Sequence, residues 1–205
     1  MHLIAPISED EVIAGWLSVE MASQRFADRI VQVVEAVGAD MAIVREPDPS
    51  DDQENSTRRA ILQRYRGYGT ADQDLLAGFP TSGVTWERMW VDPSELLSVL
   101  YIDWDYWLKL SGGTRRSVDA AKNIVQGLVV YDVPNDGFFA IASDVKSGRR
   151  FPPIIAVRST DDRSPLVVIE GHSRLTGYAL AADHLPARTE LILGIGEGIR
   201  DWWAY

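Results

Sequence analysis

The chain has 205 residues, of which 46% are hydrophobic, and its formal net charge is −10. This length allows one large or two small domains with a real core, and the charge argues against duplex DNA and anionic membranes as partners. Cysteine is absent, which excludes disulfides, thiol catalysis and cysteine metal sites. His2, His172 and His184 are scattered and form no metal-binding pattern. No stretch is long and apolar enough to span a bilayer and no signal-peptide pattern is present, so the expected compartment is the cytoplasm.

The beginning of the chain is predicted to be helical. Ser8 and Glu11 form a capping box, so we expect a helix from just after Ser8 to a stop at Gly38. Residues 46–57 are acidic and punctuated by proline, which predicts a mobile loop. The helix expected after it, to about Arg66, carries four arginines. They could touch nucleic acid, but a solvated face that pairs with the acidic loop is favoured by the net charge.

A second helical stretch starts at Asp92-Pro-Ser-Glu95, where Asp is a cap and Pro occupies the first position. Apolar residues then follow one helical stripe to Leu108, which predicts a core helix or a subunit contact. The glycine-rich residues 111–116 are expected to be a turn before a helix over 117–126. If the protein binds phosphate, Arg115 or Arg116 is the expected second contact.

From residue 128 the pattern changes to short β-branched runs that alternate with helical ones. Strands are expected at 128–133, 154–157, 166–169 and 191–193, and a helix at 138–145, which together indicate a small α/β unit. We place a domain boundary at 116/117. Residues 1–116 hold 11 basic and 19 acidic residues, whereas residues 117–205 hold 9 and 11, so an anion site suits the second part better.

The segment richest in residues that could bind a ligand or catalyse a reaction is the turn Glu170-Gly-His-Ser-Arg174, which separates an apolar strand from a helix. Free N–H groups and the dipole at a helix start attract anions, and arginine can bind phosphate with two hydrogen bonds. Gly171 would allow the tight turn. The alternatives are a simple glycine turn in which Glu170 forms a salt bridge with Arg174 and His172 caps the helix.

Three short motifs give the second part a family resemblance. They are Pro152-Pro-Ile154, then Gly171-His-Ser-Arg174 with Tyr178, then Leu185-Pro-Ala-Arg188. In order and spacing they are similar to motifs of the ParB/sulfiredoxin-like fold. The turn looks most like the relatives with Asp-Gly-His-x-Arg or Asp-Gly-Gln-Gln-Arg, with Glu170 replacing Asp. The resemblance covers roughly residues 124–200, and none is found for residues 1–116. Together with the helical pattern of the residues before it, the resemblance predicts an α/β (α+β) chain, with a helical N-terminal part before a small mixed-sheet domain.

The resemblance also implies a site for ATP or another NTP, with Mg²⁺. By it, Gly171, His172, Ser173 and Arg174 hold the phosphates, with Ser143 and Lys146 on the preceding helix as further contacts. Glu170 and His172 would be the catalytic groups. The chain departs from the family in two ways: without cysteine it cannot reduce sulfinic acids, and without a helix-turn-helix pattern it does not match a full ParB.

The leading hypothesis is therefore a nucleotide-binding protein with NTP hydrolase or phosphotransferase activity. One alternative is a non-catalytic interaction module whose aromatic N-terminal part docks a protein partner through Trp86, Trp90, Trp104 and Trp107. Another is a nucleic-acid-processing protein. A homodimer is also left open.

Overall fold

The computed structural model describes residues 1–23, 26–71, 74–161 and 163–205. They form nine α-helices and a five-stranded mixed sheet, which confirms the α+β class. The chain divides into two compact units: residues 7–86, here called the helical unit, and residues 1–6 with 87–205, here called the sheet unit. No helix in the described part of the chain is long and apolar enough to cross a membrane.

The helical unit contains α1 (Glu9–Met21), α2 (Ala27–Val37), α3 (Ala42–Arg45) and α4 (Asp52–Arg66). Helix α4 packs against both α1 and α2. Fully buried apolar side chains from these three helices, among them Leu17, Ile30 and Ile61, form the core of this unit.

The single helix expected between Ser8 and Gly38 is in fact two helices. The capping box is confirmed: Ser8 Oγ accepts the Glu11 N–H at 3.1 Å, and the Glu11 carboxylate accepts the Ser8 N–H at 2.7 Å. Helix α1 ends at Met21, and the Ser23 carbonyl accepts the Ala27 N–H at 2.9 Å to begin α2. Gly38, with a φ of 70°, ends α2 as expected.

The loop expected over residues 46–57 is only partly a loop. Asp51 caps α4 with its side chain, so residues 52–57 are helical. Arg58, expected on a solvated face, is 1% exposed and donates to the Asp48 carbonyl at 2.6 Å. The expectation of a loop was therefore wrong for residues 52–57, and that of a solvated side chain was wrong for Arg58, whose buried guanidinium satisfies backbone carbonyls of the segment before α4.

The sheet unit holds the greater part of the sheet, whose strand order is β1-β2-β5-β3-β4. Strand β3 pairs in parallel with β5 and antiparallel with β4. The strands are β1 (His2–Ile7), β2 (Val84–Val91), β3 (Ile154–Arg158), β4 (Val167–Glu170) and β5 (Thr189–Gly196), and the helices are α5 (Pro93–Ser98), α6 (Asp105–Ser111), α7 (Ser117–Val125), α8 (Asp136–Lys146) and α9 (His172–Leu180). Sequence reasoning missed β1 and β2. It found the other three strands to within a few residues, together with α7, α8 and α9.

The boundary proposed at residue 117 lies inside the sheet unit. Leu96 and Leu110, from α5 and α6, share one buried apolar cluster with Ile154 and Leu175. Residues 87–116 therefore complete the core of the residues that follow them.

The long helix expected from Asp92 to Leu108 is interrupted. Its capping box and first-position proline are confirmed, but α5 ends at Ser98. Leu100 then donates its N–H to the Leu166 carbonyl at 2.8 Å and accepts the Val168 N–H at 2.9 Å. Pairing with the β4 strand thus overrides the helical stripe.

The strand expected over residues 128–133 was also wrong. The segment is a turn in which the Val133 N–H donates to the Val130 carbonyl at 3.1 Å. Tyr131 and Asp132 have φ values of 52° and 56°, a conformation that a strand does not contain. The β-branched composition alone did not reveal this turn.

Helix α9 approaches α8 closely at Gly177. A Cβ at this position would lie 2.3 Å from Ile141 Cγ2. We expect Gly177→Ala to lower the free energy of unfolding by about 1–3 kcal/mol, because overpacking outweighs the gain in helix propensity of about 1 kcal/mol. Gly137→Ala in α8 is the matched control, since its Cβ would meet nothing within 4 Å and should leave stability equal or higher. Urea unfolding measures both, and equal stability of the two variants would contradict the packing argument.

The capping box of α5 predicts a pH dependence of stability. The Glu95 N–H and the Ser94 hydroxyl donate to Asp92 at 2.9 and 2.7 Å and hold the pKa of Asp92 below its ordinary value. The stabilisation is therefore complete above the unfolded pKa of about 3.9 and is lost as the pH falls through the folded pKa. Asp92→Asn keeps an acceptor but does not titrate, so its unfolding free energy should approach that of the wild type on acidification. A difference that stays constant down to about pH 3 would contradict the assignment.

Candidate functional site

The turn between β4 and α9 requires glycine at its centre. Gly171 has a φ of 95°, in the left-handed region, and a Cβ there would lie 2.6 Å from Ile154 Cγ2 and 3.0 Å from the Arg174 guanidinium. Both the backbone conformation and the close contact with β3 exclude a larger residue. The predicted strand–glycine–helix arrangement is thus present.

Arg174 is buried inside this turn, with 7% of its surface exposed. Its Nη2 donates to the Glu170 carboxylate, whose side chain is 11% exposed, and its Nη1 donates to the Pro152 carbonyl at 2.9 Å. One guanidinium therefore connects the end of β4, the start of α9 and the segment before β3. The salt bridge that the sequence left as an alternative to phosphate binding is formed.

His172 lies in an aromatic stack. Its ring centroid is 5.1 Å from that of Trp107 and 6.3 Å from that of Tyr101, with interplanar angles of 18° and 13°. Tyr101 is fully buried, its hydroxyl is 2.7 Å from Thr176 Oγ1, and burial raises the pKa of that hydroxyl. The imidazole thus packs against the core, and Ser173 beside it is half-buried.

The other predicted phosphate contacts lie in different surroundings. Ser143 and Lys146 are exposed on α8. Arg115 is half-buried with a φ of 60°, and its Nε donates to the Tyr101 carbonyl at 2.7 Å. Burial lowers the pKa of Arg115. Its guanidinium therefore stabilises the backbone after α5.

A cleft of about 320 Å³ opens beside the turn, within the sheet unit. Its lining includes three aromatic side chains, three arginines, one histidine and one carboxylate: Trp90, Phe151, Tyr178, Arg149, Arg150, Arg188, His184 and Glu190. Within the described residues, the lining contains none of the turn residues 170–174, but Pro153 and Tyr178 lie on it. The buried Arg174 and Glu170 thus lie next to the elements that form the cleft.

The charged groups of the cleft differ in whether they pair with another side chain of the protein. Arg149 donates to Asp144 at 2.7 Å, and its Cζ lies 5.3 Å from the centre of the Phe151 ring. Glu190 lies 3.6 Å from Arg88 on the neighbouring strand. Arg150 and Arg188 have exposed side chains at the cleft. These two are the arginines best placed to meet an incoming anion.

All three motifs behind the family resemblance contribute to this cleft. The first motif contributes Pro153, the second contributes Tyr178, and the third contributes Pro186 and Arg188. Sequence reasoning quoted these residues but did not assign them to the site. It also missed Arg149 and Arg150, for which the adjacent basic pair beside Phe151 was the available signal.

Comparisons with protein-family models, curated proteins and solved structures found no match for this chain. The ParB/sulfiredoxin-like resemblance therefore stays a prediction that rests on the three motifs. In the described part of the chain, no group of three or more His, Asp or Glu side chains is placed to hold a metal ion.

The buried pair gives a stability prediction. Arg174→Ala should lower the free energy of unfolding by about 3–5 kcal/mol, because it leaves the Glu170 carboxylate buried without its cation. Combining Arg174→Met with Glu170→Gln should recover part of this loss. Arg149→Ala is the control, since it breaks an exposed pair with Asp144 worth at most about 1 kcal/mol. Similar losses in denaturant unfolding for the buried and the exposed pair would contradict the prediction.

Proposed function

We propose that this chain binds a nucleotide in the cleft beside the 170–174 turn. The observation that carries the proposal is the concentration of three aromatic side chains, three arginines and one histidine around one cleft, in a chain whose net charge is −10. An apolar floor with a few convergent polar groups is typical of small-molecule sites.

The chemistry of the lining fits both halves of a nucleotide. Trp90 and Phe151 are partly exposed and offer aromatic surface to a base, while the buried Tyr178 packs edge to face against Phe151 with ring centroids 6.2 Å apart. Base–aromatic stacking contributes about 1–3 kcal/mol per base. Arg150 and Arg188 can each bind phosphate oxygens with two parallel hydrogen bonds, which lysine cannot do.

The size and charge of the site favour a mononucleotide over nucleic acid. A volume of about 320 Å³ lies at the lower end of the roughly 300–1,000 Å³ found for ligand pockets. The chain as a whole repels a polyanion, whereas a single phosphate chain meets only the local basic rim.

The turn has a supporting role in this proposal. Arg174 holds the backbone of Pro152 and Pro153, and Tyr178 lies one helical turn beyond it on α9. Arg174 is thus a positioning residue for the cleft. A direct phosphate contact by Arg174 would have to displace its buried pairing with Glu170.

We further propose that the bound nucleotide is hydrolysed or that its phosphoryl group is transferred to an acceptor. Glu170 and His172 are the catalytic groups predicted from the sequence, but neither lines the cleft, and Mg²⁺ would arrive on the phosphates of the nucleotide. The measurement is release of inorganic phosphate from ATP and CTP with Mg²⁺. Binding without release would exclude hydrolysis.

The binding test is thermal unfolding with ATP, ADP or CTP, each with Mg²⁺, beside adenosine and inorganic phosphate. A ligand at about a hundredfold over its Kd should add about 2.7 kcal/mol of stability. Arg188→Ala and Arg150→Ala should each weaken nucleotide binding by about tenfold or more, because each removes a charged hydrogen-bond donor to phosphate.

Arg200→Ala is the matched control, since Arg200 is exposed in the same unit and lies outside the cleft lining. It should bind nucleotide like the wild type. No stabilisation of the wild type by any nucleotide, or equal weakening in the control, would overturn the proposal.

A further inference from the structure

The candidate nucleotide cleft contains one group whose charge does not suit phosphate. Among the described residues that line the cleft, Glu190 is the only one with a carboxylate, and it shares the lining with three arginines. A carboxylate repels phosphate, and its two oxygens only accept hydrogen bonds. Glu190 therefore suits a neutral part of the ligand that donates hydrogen bonds.

Glu190 lies close to residues that are proposed to hold the two ends of a nucleotide. It follows Arg188 by two residues where the chain enters β5, and both residues line the cleft. Strand β2 neighbours β5, and Trp90 of β2 lines the cleft as well. In a nucleotide the ribose joins the base to the phosphates. A group near both the phosphate contact and the aromatic surface is thus placed to meet the ribose.

The carboxylate of Glu190 is accessible, and its pairing with Arg88 is loose. The Glu190 side chain is 36% exposed, and Arg88 Nη1 lies 3.6 Å from Glu190 Oε2, which is longer than a normal hydrogen bond. Exposed ion pairs of this kind contribute little to stability. A ligand can therefore approach the carboxylate without breaking a hydrogen bond between the two side chains.

We infer that Glu190 accepts hydrogen bonds from the ribose hydroxyls, so that the cleft selects ribonucleotides. The inference rests on the proposed nucleotide binding and names the part of the ligand that Glu190 contacts. The 2′ and 3′ hydroxyls are adjacent, neutral donors, and the two oxygens of a carboxylate can accept one hydrogen bond from each. The same pairing of an acidic side chain with ribose occurs in dinucleotide-binding folds.

The edge of a guanine base is the other neutral group that could meet this carboxylate, since it also presents N–H donors. A carboxylate that binds guanine would favour GTP over ATP. One that binds the ribose treats the two bases alike and responds to the loss of the hydroxyls. Nucleotides without these hydroxyls therefore separate the two contacts.

The test is isothermal titration of the full chain with ATP and GTP and with the 2′,3′-dideoxy form of each, all with Mg²⁺. The wild type should bind each ribonucleotide at least about tenfold more tightly than its dideoxy form, because hydrogen bonds to a charged acceptor are lost. Glu190→Ala should bind the ribonucleotides and their dideoxy forms alike. Its thermal unfolding without ligand should stay that of the wild type, since the ion pair it removes is exposed.

Arg88→Ala is the matched control, since it removes the same ion pair and keeps the carboxylate. It should still bind the ribonucleotides more tightly than the dideoxy forms. The inference alone is overturned, and nucleotide binding stands, if the wild type binds both forms equally, with or without a preference for GTP. It is also overturned if Glu190→Ala still discriminates, or if Arg88→Ala loses the discrimination as well. Binding of none of the four nucleotides would overturn the proposed function, and the inference with it.

Discussion

The hydrogen-bonded pair of Glu170 and Arg174 is the interaction on which the sheet unit's candidate site depends. The two side chains are only 9% and 11% exposed, so both charges have lost most of their water, and mutual attraction alone does not offset that cost. The carbonyls of Pro152 and Pro153 supply the remaining acceptors for the guanidinium. A single side chain thereby fixes three chain segments, and two of them continue into the cleft wall.

This pair also explains why the turn was ambiguous in the sequence. Glycine followed by His-Ser-Arg at a helix start is compatible with an anion site and with an internal brace, because both need a left-handed residue and a nearby arginine. The deciding fact is which acceptor the arginine meets, and here it meets Glu170 and main-chain carbonyls. Tight packing of Gly171 against Ile154 leaves the guanidinium close to that acceptor. In the proposed nucleotide site the phosphate contacts are therefore the exposed Arg150 and Arg188.

The sequence predicted those features that depend on neighbours along the chain. The capping boxes at Ser8 and Asp92, and the glycine stop at Gly38, involve contacts over a few residues, and each is present. It failed where a partner distant in sequence takes over the backbone. Leu100 pairs with the β4 region instead of continuing the expected helix, and Arg58 is buried, where it donates to backbone carbonyls. The cleft could not be predicted for the same reason, since Arg149 and Arg188 meet only through the order of the strands.

The net charge of a chain does not reveal where its charged side chains gather, so composition alone does not predict the charge of a ligand. Residues 117–205 are nearly neutral in sum, yet Arg149, Arg150 and Arg188 gather at one cleft. The first two follow the end of α8, where basic side chains also stabilise the helix dipole, so their presence has a structural explanation. Arg188 lies directly before β5 rather than at the end of an α-helix, and it is exposed at the cleft. An exposed arginine gains little for stability in such a position, and in the proposed site Arg188 would contact the phosphates.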